Sequence, residues 1–274
     1  MTLNWSEGRG MLAAGGKRLE WAAFGPAPEG DVPVIAMLHE GLGCVSLWRD
    51  FPERLAQATG LPVFVWSRAG YGQSDPAELP RPLDYMTQEA LGPLPQVLDA
   101  IGARRYILLG HSDGATIAAE YAGRVEDFRV RGLILMAPHL FAEPEGLAEI
   151  ARAREVFASG DLKARMARHH RDPEATFRGW NDAWLHPDFR AWDVTEVIDY
   201  LRVPVLVIQG RQDQYGTLAQ VREIAERSYA PVDTLILDDC RHAPHLDRPE
   251  ETLAAIADFA ARLQRIEAAQ PETA

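Results

Sequence analysis

Few stretches of this chain leave the backbone less choice than Gly110-His111-Ser112-Asp113-Gly114. Tyr106 to Leu109 is a short apolar run that reads as a buried strand, while from Asp113 to Arg124 the residues Ile117, Ala118 and Tyr121 fall at helical spacing. Ser112 therefore sits on the turn where a strand becomes a helix. Glycines two residues to either side suit a sharp, strained turn, because side chains there would strike the neighbouring strand and helix. The hydroxyl is then expected at the strand's carboxyl end, on a helix N-terminus that favours developing negative charge. The same residues also fit a plain glycine-bounded turn whose serine caps the helix.

The rest of the chain alternates strand and helix. Lys17 to Ala23 suggests an early edge hairpin, and Val34 to Leu38 is the first buried strand, followed by the glycine-rich His39-Glu40-Gly41-Leu42-Gly43. Leu47, Phe51, Leu55 and Ala58 give helical spacing up to Thr59, and Leu61 to Trp66 is the next strand. A broken helix from Tyr85 to Ile101 leads to the strand before Ser112. Further strands are expected over Gly132–Ala137, Val203–Gln209 and Thr234–Leu237, with a helix over Thr217–Arg227 between the last two. A final amphipathic helix runs from Pro249 to about Ile266, and the tail from about Glu267 is expected to fray. This order predicts a mostly parallel open sheet of about eight strands with helices on both faces, joined by right-handed crossovers. Between Pro138 and Tyr200 the alternation stops. That stretch is helical and aromatic, with Trp180, Trp184, Trp192 and four phenylalanines, and we expect residues 139–199 to be a helical cap over the carboxyl ends of a core made of 1–138 and 200–274. Most of those aromatics are expected to form the cap's own small core.

A net charge of −12 argues against a polyanion-binding surface, so nucleic acid is not an expected partner. No run approaches the length of a membrane span and the N-terminus lacks the pattern of a secretory leader, from which we expect a cytoplasmic protein without a membrane partner. Cys44 and Cys240 cannot make a disulfide framework and are expected to be reduced thiols. Composition leaves monomer and homodimer both open.

A serine hydroxyl is a weak nucleophile that needs a base within reach, and the base needs a group to orient it. Both occur in loops beyond the expected carboxyl ends of strands: Gly210-Arg211-Gln212-Asp213 and Asp238-Asp239-Cys240-Arg241-His242-Ala243-Pro244-His245. The order Ser112, Asp213, His242, with GHSDG as the elbow, HEGLG, SRAGYGQSDP, GRQDQYGT and CRHAPHLDRPE, resembles the α/β-hydrolase family along nearly the whole chain. The resemblance implies Ser112 as nucleophile, His242 as base and Asp213 as the acid that orients it. It also implies an oxyanion hole from the amide of Asp113 and that of Gly41, or alternatively Leu42, and no cofactor or metal. His245 competes with His242, and Asp238 and Asp239 compete with Asp213. Two departures stand out: Glu40 and Arg241 occupy positions where most relatives have glycine.

The implied activity is that of a serine hydrolase cleaving a carboxylic ester of a small-to-medium substrate through an acyl-enzyme. C–C, thioester or amide hydrolysis on the same triad, or ligand binding without turnover, are the alternatives. The serine nucleophile argues against the epoxide and haloalkane branches, which use a carboxylate. Candidate substrate contacts are His39, Glu40, Asp113, Trp180 and Trp184. Asp113 either holds a cationic group of the substrate or turns away and pairs locally. Two rival sites compete with the hydrolase: a dinucleotide loop at Gly41-x-Gly43-x-x-Ser46 with Arg68 offered to a 2′-phosphate, and a zinc site from His242, His245 and the His169-His170 pair.

Overall fold

The computed structural model describes residues 3–269. The elements are β1 (Arg9–Ala14), β2 (Lys17–Phe24), β3 (Val34–Leu38), α1 (Phe51–Thr59), β4 (Val63–Trp66), α2 (Tyr85–Leu91), α3 (Pro93–Ile101), β5 (Tyr106–His111), α4 (Asp113–Arg124) and β6 (Val130–Met136). They continue as α5 (Pro144–Ser159), α6 (Leu162–Met166), α7 (Pro173–Trp184), β7 (Val205–Gly210), α8 (Leu218–Arg227), β8 (Val232–Leu237), α9 (Pro244–Asp247) and α10 (Pro249–Ala269).

The eight strands form one sheet in the order β1-β2-β4-β3-β5-β6-β7-β8. In this sheet β1/β2 and β2/β4 pair antiparallel, while β4, β3, β5, β6, β7 and β8 run parallel. The central strands are buried on both faces, as a sheet covered by crossover helices must be. Val34, Ala36 and Leu38 of β3 pack to one side, in one cluster with Val97 of α3 and Ile117 and Tyr121 of α4. Ile35 and Met37 pack to the other, with Phe51 and Leu55 of α1 and Ile256 and Phe259 of α10. The period of two thus survives inside strands that read as unbroken apolar runs.

Four differences from the sequence expectations have local causes. The early hairpin is formed with Arg9–Ala14 as its first arm, a segment with little alternation of its own. The helix expected from Leu47 starts at Phe51, because Val45–Trp48 is a 3₁₀ turn that ends at Arg49 with φ +55°. The C-terminal helix does not fray at Glu267, whose carboxylate pairs with Arg105 at 2.7 Å and also with Arg131; it continues to Ala269, and the tail beyond lies outside the described residues. The aromatics between β6 and β7 do not form a core of their own. Phe157 stacks on Phe177 at 4.0 Å and Trp184 packs on Phe189 at 4.7 Å, but both groups are continuous with the cluster beneath α4.

Between β6 and β7 the described chain is helical, apart from a single bridge between Phe141 and Asp193. Both cysteines are free and buried. No helix among the described residues is long and apolar enough to cross a membrane.

Candidate active site

Ser112 holds φ +54° and ψ −121°, a conformation that residues with a side chain rarely adopt. Its amide donates to Met136 O at 2.9 Å, and its carbonyl accepts from Ala115 and Thr116 as α4 begins. The flanking glycines permit this. A Cβ on Gly110 would strike the backbone of Gly114 and Ala115, and one on Gly114 would strike the Leu38 carbonyl. The helix can therefore start against the end of β3, with the hydroxyl at the carboxyl rim of the sheet.

Asp213 follows β7 and His242 follows β8, and the structure brings them together. His242 Nδ1 lies 2.8 Å from Asp213 Oδ2 and 3.0 Å from Oδ1. Gln209 Nε2 donates to Oδ2 at 2.8 Å, and the Tyr215 amide donates to Oδ1 at 2.8 Å. Burial opposes ionisation of this carboxyl, but the charge and hydrogen bond of His242 and the Tyr215 amide outweigh it and hold it at about 2. With Nδ1 engaged, Nε2 is the nitrogen left for Ser112. Among the described residues no hydrogen bond joins Ser112 Oγ to His242. His242 stands over the elbow region, its ring 5.1 Å from that of His111 and 5.5 Å from that of His139.

The rival residues are occupied elsewhere. Asp238 pairs with Arg211 at 2.5 Å and Asp239 with Arg248 at 3.0 Å, both on the surface. His245 is buried against Trp48 and Phe51, and desolvation followed by the charge of His111 drives it down to about 3.

The loop after β3 is fixed from beneath. His39, offered above as a substrate contact, is instead committed to the loop: Nδ1 donates to Glu40 O at 2.7 Å and Nε2 accepts from the Arg68 amide at 3.1 Å, leaving no ring nitrogen for a ligand. Burial, then the charge of Arg68, holds its ring well below the usual histidine range. Arg68 is itself buried and donates to the carbonyls of His39 and Glu40, so it is not presented to a phosphate as the dinucleotide alternative requires. Among the described residues the amides of Gly41, Leu42 and Asp113 donate to no protein acceptor. Trp180 of α7 lies directly over Gly41, where a Cβ would collide with its indole.

Asp113 is fully buried and accepts from Tyr85 OH, which in turn accepts from Trp184 Nε1 at 3.0 Å. Desolvation raises its carboxyl above the ordinary range, against the pull of Arg68 and Arg81. Of the two roles considered for Asp113, local pairing is the one this geometry provides, and Trp184 reaches the elbow only through Tyr85. His169 bonds Ser46 Oγ at 2.8 Å, and His170 accepts from the Gly72 amide at 3.0 Å and donates to Leu42 O at 2.9 Å. Among the described residues no group of three or more His, Cys, Asp or Glu is placed to hold a metal ion.

Two further histidines lie at the site, His139 outside every motif and His111 inside the elbow motif with no role signalled for its side chain. His139, after β6, packs edge-on to Trp184 at 5.3 Å, and burial together with the nearby His242 drives it down to about 3. Thr116 Oγ1 holds its carbonyl at 2.5 Å, while neither ring nitrogen has a protein partner among the described residues. His111 is the residue before Ser112, and its side chain turns toward the loop of His242. Only a contact map could have found either.

The profile described as the alpha/beta hydrolase family matches residues 35–256. Epoxide hydrolase 3 of Xenopus tropicalis is 24% identical over 83% of this chain and 71% of its own length. Proline iminopeptidase of Heyndrickxia coagulans is 26% identical over 91% of this chain and 97% of its own. Among solved structures, the enol-lactonase of Burkholderia xenovorans LB400 superposes with a TM-score of 0.71 at 22% identity, covering 92% of this chain and all of that one.

Proposed function

The chain belongs to the α/β-hydrolase family, and on that premise we propose that it is a serine hydrolase cleaving a carboxylic ester of a small-to-medium substrate without a cofactor. The observation that carries the proposal is the 2.8 Å bond from His242 Nδ1 to a buried, ionised Asp213, set beside the strained turn of Ser112. That bond fixes the tautomer in which Nε2 can accept a proton.

In the proposed reaction Ser112 Oγ attacks the carbonyl carbon as its proton passes to His242 Nε2. The carbonyl oxygen becomes an oxyanion facing the free amides of Asp113 and Gly41, or Leu42. His242 then gives the proton to the leaving alkoxide, and the acyl group remains on Ser112. Water, deprotonated by His242, attacks the acyl-enzyme, and the bond from Ser112 Oγ to the acyl carbon breaks as His242 returns that proton to Oγ, releasing the acid. Each oxyanion donor is expected to stabilise the transition state by about 3 kcal/mol. The helical segment 139–199 is proposed as the cap that bounds the substrate, with Trp180 beside the oxyanion loop. Serine at the elbow argues against epoxide opening despite the similarity to an epoxide hydrolase.

The test is turnover on p-nitrophenyl esters of graded acyl length, comparing the native chain with Ser112→Ala. Multiple turnovers lost in the variant are expected. Product release that stops at one equivalent for every chain length would instead favour a ligand-binding protein on this fold.

A further inference from the structure

The two departures from the family pattern, Glu40 and Arg241, lie on different loops, and the structure connects Glu40 to the backbone of His242 through His111. His111 Nε2 donates to His242 O at 2.7 Å, and His111 Nδ1 lies 3.5 Å from Glu40 Oε2. Earlier on the same loop, the Arg241 backbone amide donates to Asp247 Oδ2 at 2.8 Å, a bond that any residue but proline would make there. From these contacts we infer that His111 is a positioning residue for His242, and that Glu40 orients His111 for that task.

The chemistry favours this arrangement. A carbonyl oxygen can only accept, so the bond to His242 requires a proton on His111 Nε2. An imidazole protonated only at Nδ1 would break it. The Glu40 carboxylate opposite Nδ1 stabilises a ring that carries a proton on Nδ1 as well as on Nε2: although burial opposes a charge on the ring, the carboxylate outweighs it and raises His111. Glu40 is correspondingly held below the usual carboxylate range, the attraction of His111 overcoming burial. Gly43 gives the carboxylate room, since a Cβ there would collide with it. The His111 ring cannot easily swing away, being packed 5.0 Å from His245 and 6.2 Å from Trp48. The catalytic imidazole is thus held at its side chain by Asp213 and at its backbone by His111. The first of these is a carboxylate, and the second has the carboxylate of Glu40 behind it.

This inference rests on the hydrolase function proposed above, and two readouts keep the tests apart. The first is p-nitrophenyl ester turnover by His111→Leu, His111→Gln and Glu40→Gln. Because a misplacement of about 1 Å can cost about 100-fold, His111→Leu is expected to lose about that factor in kcat with KM little changed. His111→Gln, whose Nε2 can still reach the carbonyl, is expected to regain most of the loss, and Glu40→Gln to fall between. The second readout needs no turnover: the downfield proton resonance of His242 Nδ1 bonded to Asp213, recorded in the full chain. It is expected to be sharp in the native protein and in Ser112→Ala, and broadened or shifted in His111→Leu. Unchanged kcat and an unchanged resonance in His111→Leu overturn the inference, as does His111→Gln behaving no better than leucine. Should leucine unfold the chain, the resonance in Glu40→Gln decides, and an unperturbed signal there overturns it. Absence of ester turnover in the native chain defeats the proposed function alone, because the resonance still reports on His111.

Discussion

Asp213 is the residue whose surroundings say most about its task. It collects His242 Nδ1, Gln209 Nε2 and the Tyr215 amide, all donors, on a side chain that is almost wholly buried. Asp213→Asn would place an amide where a carboxylate accepts the Nδ1 proton, favouring the tautomer in which Nε2 cannot take a proton from Ser112. On the precedent of the analogous substitution in a serine protease, kcat is expected to fall by about 10⁴, measured on the best p-nitrophenyl ester. The carboxyl's fall from an ordinary 3.8 to about 2 also has a sign in stability. Its folded form is the weaker proton binder, so the contribution, about 2 kcal/mol, is present above pH 4 and lost as pH falls toward 2. Asp113 has no such freedom to meet a substrate, being sealed against Tyr85. Asp113→Asn is accordingly expected to leave the ratio of turnover on neutral and amine-bearing esters unchanged, and a ratio shifted toward neutral esters would restore the cation-binding role.

At the scale of elements, the elbow and the loop after β3 each depend on a glycine for close approach, but what approaches differs. Gly114 faces the Leu38 carbonyl, which belongs to β3 and cannot yield. Gly41 faces the indole of Trp180, a side chain at the edge of α7. Gly114→Ala is therefore expected to lower soluble yield and thermal stability severely. Gly41→Ala is expected to fold but lose turnover, and adding Trp180→Ala to recover part of it. No recovery in the double variant, with the fold intact, would mean the loop's shape rather than the indole is what the added methyl disturbs. The same elements show what could be read from sequence. β3, β5 and α4 were legible because burial on both faces and helical spacing are local patterns. β1 was not, because Arg9–Ala14 owes its strand to pairing with β2. For Ser112, Asp213 and His242 the order along the chain identified candidates. His111, His139 and Tyr85 emerge only from through-space contacts that no spacing encodes.

For the whole molecule, buried imidazoles make stability a function of pH. In the unfolded chain His139 and His245 take up protons below about pH 6.5, whereas in the folded chain both are held neutral until about 3, chiefly by burial. Between those values the unfolded state binds more protons, so stability falls as pH falls, by at most about 1.4 kcal/mol per pH unit for each ring. His111 works the other way: its raised value adds stability that is complete at low pH and lost as pH rises through its folded value. One ring cannot offset two, and His39 and His170 are also lowered. The melting temperature is thus expected to drop from pH 7 to pH 5. His245 offers a way to check the cause, since it lies among Trp48 and Phe51 and its Nδ1 has no partner among the described residues. In His245→Phe the aromatic packing is kept while the titration is removed. Denaturant melts at several pH values are expected to show a stability slope shallower by up to about 1.4 kcal/mol per pH unit. An unaltered slope would mean that this ring takes up its proton in the folded state as readily as in the unfolded one, which requires water to reach a position the packing closes.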